Sequence, residues 1–277
     1  MFVMIFMLLL SVAIFASVVD EINDPSAYSK AMAGAIYALY TGPQSIAYNP
    51  AGMANGKSSI FFSHIEHFLG VIRSEFLSSS FKFKNFYGGG AIQYTRPTDQ
   101  FGYDQYKLTG SVAYKMGENA FGMSLNGWFG SDIKSGVSVD FGSIIKYGKL
   151  NLAAVVKNAF ASITWASSPS TTQTYTPELI VGGSYFSKKY TLNSYLNFTS
   201  GELGLGAEIS VTSFLSLLGG YRMTFYKALS KEVSVGMRMC YPSLNITVAY
   251  VFENSLKFGD LLNPFYVSLT YNFSGGI

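Results

Sequence analysis

Charge, cysteine and long apolar runs are all scarce in this chain of 277 residues. Asp, Glu, Lys and Arg together make up 13%, against roughly 25% in an ordinary soluble domain. The 19 Lys and Arg and the 16 Asp and Glu leave a net charge of +3. The basic residues are scattered, with no run or stripe to neutralise phosphates, which argues against a nucleic-acid partner. A lone Cys240 excludes a disulfide framework and any multi-cysteine metal site. His64 and His67 are the only histidines; on a strand they point to opposite faces, so no metal centre is expected. No carboxylate is paired in a motif with a base or a nucleophile, so no catalytic residue, no cofactor and no enzyme activity is expected. Past residue 20 no stretch reaches the roughly 18 uncharged apolar residues that a spanning helix needs.

What the chain does have is aromatic and apolar. Phe, Trp and Tyr reach 16% and hydrophobic residues 49%, a composition opposite to that of disordered chains. Residues 1–19 are apolar or small, with Asp20 the first charge. They read as a signal peptide covering 1–16, although the positive residues that usually precede the apolar run are missing. An uncleaved helical anchor is the alternative.

From Lys57 onward the dominant signal is period two. Tyr106, Leu108, Val112 and Tyr114 alternate with Lys107, Thr109, Ser111 and Lys115; Phe121, Met123, Leu125 and Phe129 alternate with Ser124, Asn126 and Trp128. The same division puts Val139, Phe141 and Ile145 opposite Asp140 and Lys146. It also puts Leu205 and Ile209 opposite Glu202 and Glu208, and Val233, Val235 and Met237 opposite Glu232, Ser234 and Arg238. Fourteen such segments can be counted, starting near residues 58, 72, 86, 105, 119, 136, 149, 178, 189, 202, 214, 232, 244 and 264. The first two alternate least cleanly. Connections after even-numbered segments are short, and four of those after odd-numbered ones are long: 96–104, 159–176, 224–231 and 253–263. That parity, with segments of about ten residues, predicts an all-β, antiparallel up-and-down transmembrane barrel over 57–277 in a cell outer membrane. A soluble sandwich would alternate too but would carry more surface charge.

A basic side chain facing lipid at mid-membrane costs about 2–4 kcal/mol. Lys107, Lys115, Trp128, Asp140, Lys146, Glu202, Glu208, Arg222 and Arg238 are therefore expected to face the lumen or the rims, with the apolar face in contact with outer-membrane lipid. The lumen register also holds apolar residues, among them Ile144, Val155, Phe186, Tyr195, Leu218, Val251 and Tyr266. They could pack against an inserted segment or line a path for a hydrophobic solute. Such a segment is at hand: residues 17–56 are rich in Ala and Gly, too weakly patterned for a lipid-facing strand, and small enough for close backbone packing inside a lumen. Gly88, Gly89 and Gly90, within one strand, suit a bend or a close approach by that segment.

The stretch AMAGAIYALY, then AYNPAGMA, then about fourteen strands resembles the FadL-like outer-membrane proteins, closest to their compact PorV/PorQ-type branch. The resemblance implies that residues 17–56 form a plug inside the barrel, with Asn49, Pro50, Ala51 and Gly52 as its motif. At the other end, Phe265, Val267, Leu269, Tyr271 and Phe273 resemble the terminal-strand signal read by the barrel-assembly machinery, with a tail of 274–277 beyond it. The function implied is passive uptake or binding of small hydrophobic molecules. A general solute porin is one alternative. A docking barrel for a secreted surface protein, as in the PorV type, is the other.

Overall fold

The computed structural model describes residues 24–67, 72–97, 104–166, 170–225, 230–254 and 265–273. The expected signal peptide, the first residues of the expected plug and the tail after Phe273 lie outside them. Fifteen strands follow in chain order: β1 (Ser59–His67), β2 (Ile72–Phe83), β3 (Phe86–Pro97), β4 (Gln105–Met116), β5 (Asn119–Gly130), β6 (Ile133–Tyr147), β7 (Leu150–Trp165), β8 (Thr172–Thr174), β9 (Glu178–Phe186), β10 (Tyr190–Asn197), β11 (Glu202–Ser210), β12 (Leu215–Thr224), β13 (Ser230–Cys240), β14 (Leu244–Asn254) and β15 (Phe265–Asn272). Apart from β8, each pairs antiparallel with its neighbours in sequence. The ladder closes between β1 and β15, from Ser59 opposite Asn272 to Glu66 opposite Phe265. β8 only flanks the end of β7, so the wall is a closed barrel of fourteen strands. The alternation of side chains carried this architecture into the sequence, because a residue on a strand of a closed wall faces either the lumen or the outside.

One end of the barrel, here the turn end, is closed by the connections at 84–85, 117–118, 148–149, 187–189, 211–214 and 241–243. The opposite, loop end carries the longer ones. Residues 159–176, expected as a loop, are partly strand: β7 runs on to Trp165 and β8 pairs with it, Ser162 opposite Thr174 and Thr164 opposite Thr172. Thr and β-branched residues on both arms favour this extension beyond β9. Between β6 and β7 the register slips from Val139–Phe160 to Phe141–Val156. Asn158 takes a left-handed φ of 54° in this bulge, and its N–H donates to Asp140 Oδ1 at 2.8 Å.

Outward-facing side chains are mostly large and apolar: Leu108, Val112, Leu125, Ile145, Leu152, Leu192, Leu217 and Val235 among them. Aromatic residues, including Phe83, Phe86, Tyr147, Phe214 and Tyr241, ring the turn end. So wide an apolar surface is what a bilayer covers. β1 and β2 depart from the rule near the loop end. There His64 Nδ1 lies 2.7 Å from Glu75 Oε1, and Arg73 Nε lies 3.4 Å from Glu66 Oε1, while Phe61, Ile65 and Phe76 turn inward and are buried. This local reversal of polarity is why these two segments did not alternate cleanly in sequence.

Residues 24–58 lie inside the wall as short pieces: one helical turn, α1 (Ala27–Ala31), and the 3-10 turns Gly42–Ala47 and Pro50–Met53. Ser26 caps α1 and Asn49 caps the last turn, each side chain accepting from a backbone N–H two or three residues on. α1 packs on β12 to β15, the Pro50–Met53 turn on β4 to β6, and the Gly42–Ala47 turn on β1 to β3. Glycines on the wall make the seats. Gly122 and Gly142 face each other across β5 and β6. A Cβ on Gly122 would come within 2.5 Å of Ala51 N, and one on Gly142 would overlap Asn49 Oδ1. Gly206 and Gly220 form the matching pair on β11 and β12, where a Cβ on Gly220 would reach Ala33 N at 2.5 Å. Gly89 is seated under Ile46 and Met53, whereas Gly88 and Gly90 have no such neighbour.

Overpacking a filled interior costs about 1–3 kcal/mol. Gly142→Ala and Gly122→Ala should therefore lower the midpoint of the heat-induced mobility shift of the folded barrel on a gel. Gly110→Ala, where a new methyl meets nothing within 4 Å, should leave the midpoint unchanged.

Candidate functional site

The inner segment divides the lumen into two vestibules. The one at the loop end has a volume of about 200 Å³. Asp24, Gly34, Tyr37 and Tyr48 of the inner segment line it, with Lys107, Trp128, Asp140, Lys157, Asn158, Tyr175, Glu178, Tyr195, Asn197, Glu202 and Arg222 of the strands and loops. The one at the turn end is about 400 Å³ and more hydrophilic, with Thr41, Gln44, Lys57, Thr191, Glu208, Arg238, Asn245, Thr247 and Asn272 around Tyr28, Leu39, Tyr40 and Phe186.

Polar ties hold the inner segment in place. Ala27 N–H donates to Ser268 Oγ at 2.8 Å, Asn151 Nδ2 to Ala38 O at 3.0 Å, and Lys115 Nζ to Ala54 O at 3.2 Å. Asn49 Nδ2 bridges Tyr37 O at 2.7 Å and Ser143 O at 3.2 Å, so one side chain both caps a turn and fastens it to β6. Tyr48 Oη donates to Asp24 and accepts from Ser26 N–H. Burial first, and then the Asp24 carboxylate, hold the Tyr48 hydroxyl well above its ordinary pKa, so it stays a donor. Lys30, 2% exposed, lies 4.0 Å from Asp24 and over the Tyr266 ring at 5.6 Å.

The charged residues singled out in the sequence fall on the inner face in separate groups. Lys107 stands over the Trp128 ring at 5.1 Å, and Asp140 accepts from Asn126 Nδ2 at 2.8 Å; all four line or adjoin the loop-end vestibule. Arg222 ion-pairs with Glu232 and lies 3.8 Å from Glu202, whose carboxylate also accepts from Tyr195 Oη. Arg238 pairs with Glu208 and stacks on Tyr28 at 4.8 Å, and Tyr28 Oη donates to Glu208 at 2.8 Å. Lys115 reaches the inner segment, and Lys146 pairs with Glu118 at the turn-end rim. Pro50, Ala51 and Gly52 are buried against β4 to β6. Phe265, Leu269, Tyr271 and Phe273 face outward, with Val267 half-buried among them.

Of the apolar lumen residues, Ile144, Val155, Tyr195, Leu218, Val251 and Tyr266 are packed against the inner segment, and Phe186 borders it; Trp128 lines open space. Sequence reasoning put Glu232 on the face of Arg238 without giving it a role, and it missed Asp24, Lys30 and Asn151. Asn151 stands in lumen register, so alternation could have found it; the roles of Asp24 and Lys30 depend on the inner segment's path. Among the described residues no group of three His, Cys, Asp or Glu is placed to hold a metal ion.

No protein-family model matches this sequence, and no curated protein does either. Solved structures match its shape. The toluene transporter TbuX of Ralstonia pickettii has a TM-score of 0.66 at 10% identity, over 90% of this chain and 98% of its own. The toluene transporter TodX of Pseudomonas putida has a TM-score of 0.66 at 12% identity, over 89% and 97%. A FadL homologue of Pseudomonas aeruginosa has 0.64 at 12%, over 90% and 98%. The fold is that of the FadL-like barrels. At these identities the likeness extends to architecture alone; TbuX and TodX are described as transporters.

Within this FadL-like barrel Arg222 lies against two carboxylates, those of Glu232 and Glu202. Replacing it by Met leaves Glu232, 4% exposed, and Glu202 without their counter-charge. Breaking a fully buried pair costs about 3–5 kcal/mol, an upper bound here because water reaches the vestibule. Arg222→Met should lower the midpoint of thermal unfolding in detergent, and Arg222→Met with Glu232→Gln should recover most of the loss. Equal losses in both would contradict this account.

Proposed function

We propose that this chain is an outer-membrane barrel for passive passage of small hydrophobic molecules, with residues 17–56 as its plug. The observation that carries the reading is the loop-end vestibule: about 200 Å³, with the rings of Tyr37, Trp128, Tyr175 and Tyr195 on its walls and the inner segment as its floor. A cavity of about 150 Å³ is enough for one benzene ring. The matched structures described as toluene transporters support the same solute size, and the apolar outer surface supports a place in a membrane. In this reading the loop end faces outward, residues 1–16 are a signal peptide removed on export, and the β15 aromatics address the chain to the barrel-assembly machinery. Passage runs down the solute's gradient and needs neither cofactor nor energy source.

The glycine seats, the hydrogen bond of Asn49 to β6 and those of Asn151 and Ser268 to the inner segment argue against a general porin, which needs an open lumen. A second reading, a PorV/PorQ-type docking barrel for a secreted surface protein, draws on β8. Its side chains Thr172, Gln173 and Thr174 are all exposed, and among the described residues it pairs with β7 alone.

In a planar bilayer the intact protein should show no steady ion conductance, and deletion of residues 24–52 should produce it. Steady conductance from the intact protein would make it a porin. Replacing residues 166–177 so that a surface protein is no longer retained, with solute uptake unchanged, would favour the docking reading.

A further inference from the structure

Lysine is concentrated at one end of the barrel. Eight lysines stand within two residues of a turn-end connection or of the start of β1. Of the 16 Asp and Glu in the chain, only Glu118 has such a position. The turns beside these lysines, 84–85, 117–118, 148–149 and 187–189, follow one another round the wall. Lys57, just before β1, extends the series. The turns 211–214 and 241–243, with two residues on either side of each, hold no charge. The turn-end rim is therefore a basic arc from β1 to β10, with an uncharged remainder.

Six of the eight, Lys57, Lys82, Lys84, Lys149, Lys188 and Lys189, are exposed, and among the described residues none of them forms an ion pair. Lys115 and Lys146 are half-buried and already occupied, by Ala54 O and Glu118. Four of the exposed lysines stand directly beyond outward-facing aromatic rings. Phe83 and Phe86 are the last cross-strand pair of the β2–β3 hairpin, 69% and 59% exposed. Lys84 is the next residue out, its Nζ 5.7 Å from the centroid of the Phe83 ring. Tyr147 and Leu150 pair at the end of β6 and β7, with Lys149 in the turn between them. Lys188 and Lys189 connect the strands that carry Tyr185 and Tyr190, whose rings lie 6.2 Å apart. Lys82, opposite inward-facing Tyr87, and Lys57, on the turn-end vestibule, lie nearer the mouth.

In a membrane barrel such rings sit where hydrocarbon gives way to headgroups. A strand rises about 3.3 Å per residue, and a lysine stem lies along apolar surface while its ammonium reaches the polar layer. Lys84, Lys149, Lys188 and Lys189 thus come level with the lipid phosphates. Building on the membrane placement proposed above, we infer that these four lysines bind the headgroups of anionic phospholipids in the leaflet at the turn end. The rim from β11 to β14, which offers no charge, takes lipid without preference. The phosphate supplies a counter-charge that the described protein does not, and the arc gathers anionic lipid on one side of the wall.

The test is the lipid selectivity of the full chain reconstituted in phosphatidylcholine vesicles. Traces of spin-labelled phosphatidylglycerol or phosphatidylcholine report, by electron spin resonance, the fraction of each lipid held at the barrel surface. At about 10 mM salt, where screening is weak, phosphatidylglycerol should be favoured about twofold over the whole perimeter, because an attraction of roughly fivefold per lysine acts on part of it. At about 1 M salt the ratio should fall towards one. Lys84→Gln, Lys149→Gln, Lys188→Gln and Lys189→Gln together should bring it near one at low salt. Lys57→Gln with Lys82→Gln should lower it less. Should the fourfold variant fail to assemble, Lys188→Gln with Lys189→Gln should lower the ratio part of the way. A wild-type ratio of one at low salt overturns the inference and turns the search to an acidic soluble partner. A preference that survives the fourfold change or the high salt overturns it too, as does a larger loss from the mouth-side pair. If neither label is held at the barrel surface, the membrane placement fails, and the inference with it.

Discussion

In lipid a strand cannot leave its edge groups unpaired, so the hydrogen bonds that join β1 to β15 set the terms for every other part of the molecule. Closing fourteen strands removes the edges, but it also encloses a lumen wider than the wall's own side chains can fill. The fold must then either leave that space to water or fill it with chain. Here residues 24–58 fill its middle and leave one cavity at each end.

The filling explains features of the wall that strand propensity would not produce. Gly122, Gly142, Gly206 and Gly220 weaken strands in isolation, yet each lies where the inner segment's backbone comes closest. Asn49 shows the same economy, since its carbonyl oxygen caps a turn while its amide nitrogen ties that turn to Ser143 of β6. Around these contacts the wall presents cross-strand polar pairs, such as Thr109 with Asn126 and Ser63 with Ser268, which satisfy one another without water.

The charged residues of the lumen are neutralised locally. Arg222 and Arg238 each sit against buried glutamates, and the ring of Tyr28 or the hydroxyl of Tyr195 completes each group. Lys107, by contrast, meets the face of Trp128. The loop-end vestibule therefore combines aromatic walls with charged and polar groups.

Most of the wall was legible in the residues. Period-two alternation gave the strand count, the lumen register of Lys107, Asp140, Arg222 and Arg238, and the parity of short and long connections, because on a strand the facing of a side chain is a local property. Where lumen and exterior exchange polarity, as at His64, Glu66, Arg73 and Glu75, the pattern blurred, and the strand nature of 159–165 was hidden for want of a turn signal. The small-residue composition of 17–56 was visible too, but not its path. Which wall glycine receives which part of that segment, and which strands its polar ties reach, depend on residues far apart in sequence. Composition and periodicity report on single strands; only the closed barrel, which brings β5, β6 and β9 to β12 around one short segment, decided where space was filled and where it was left.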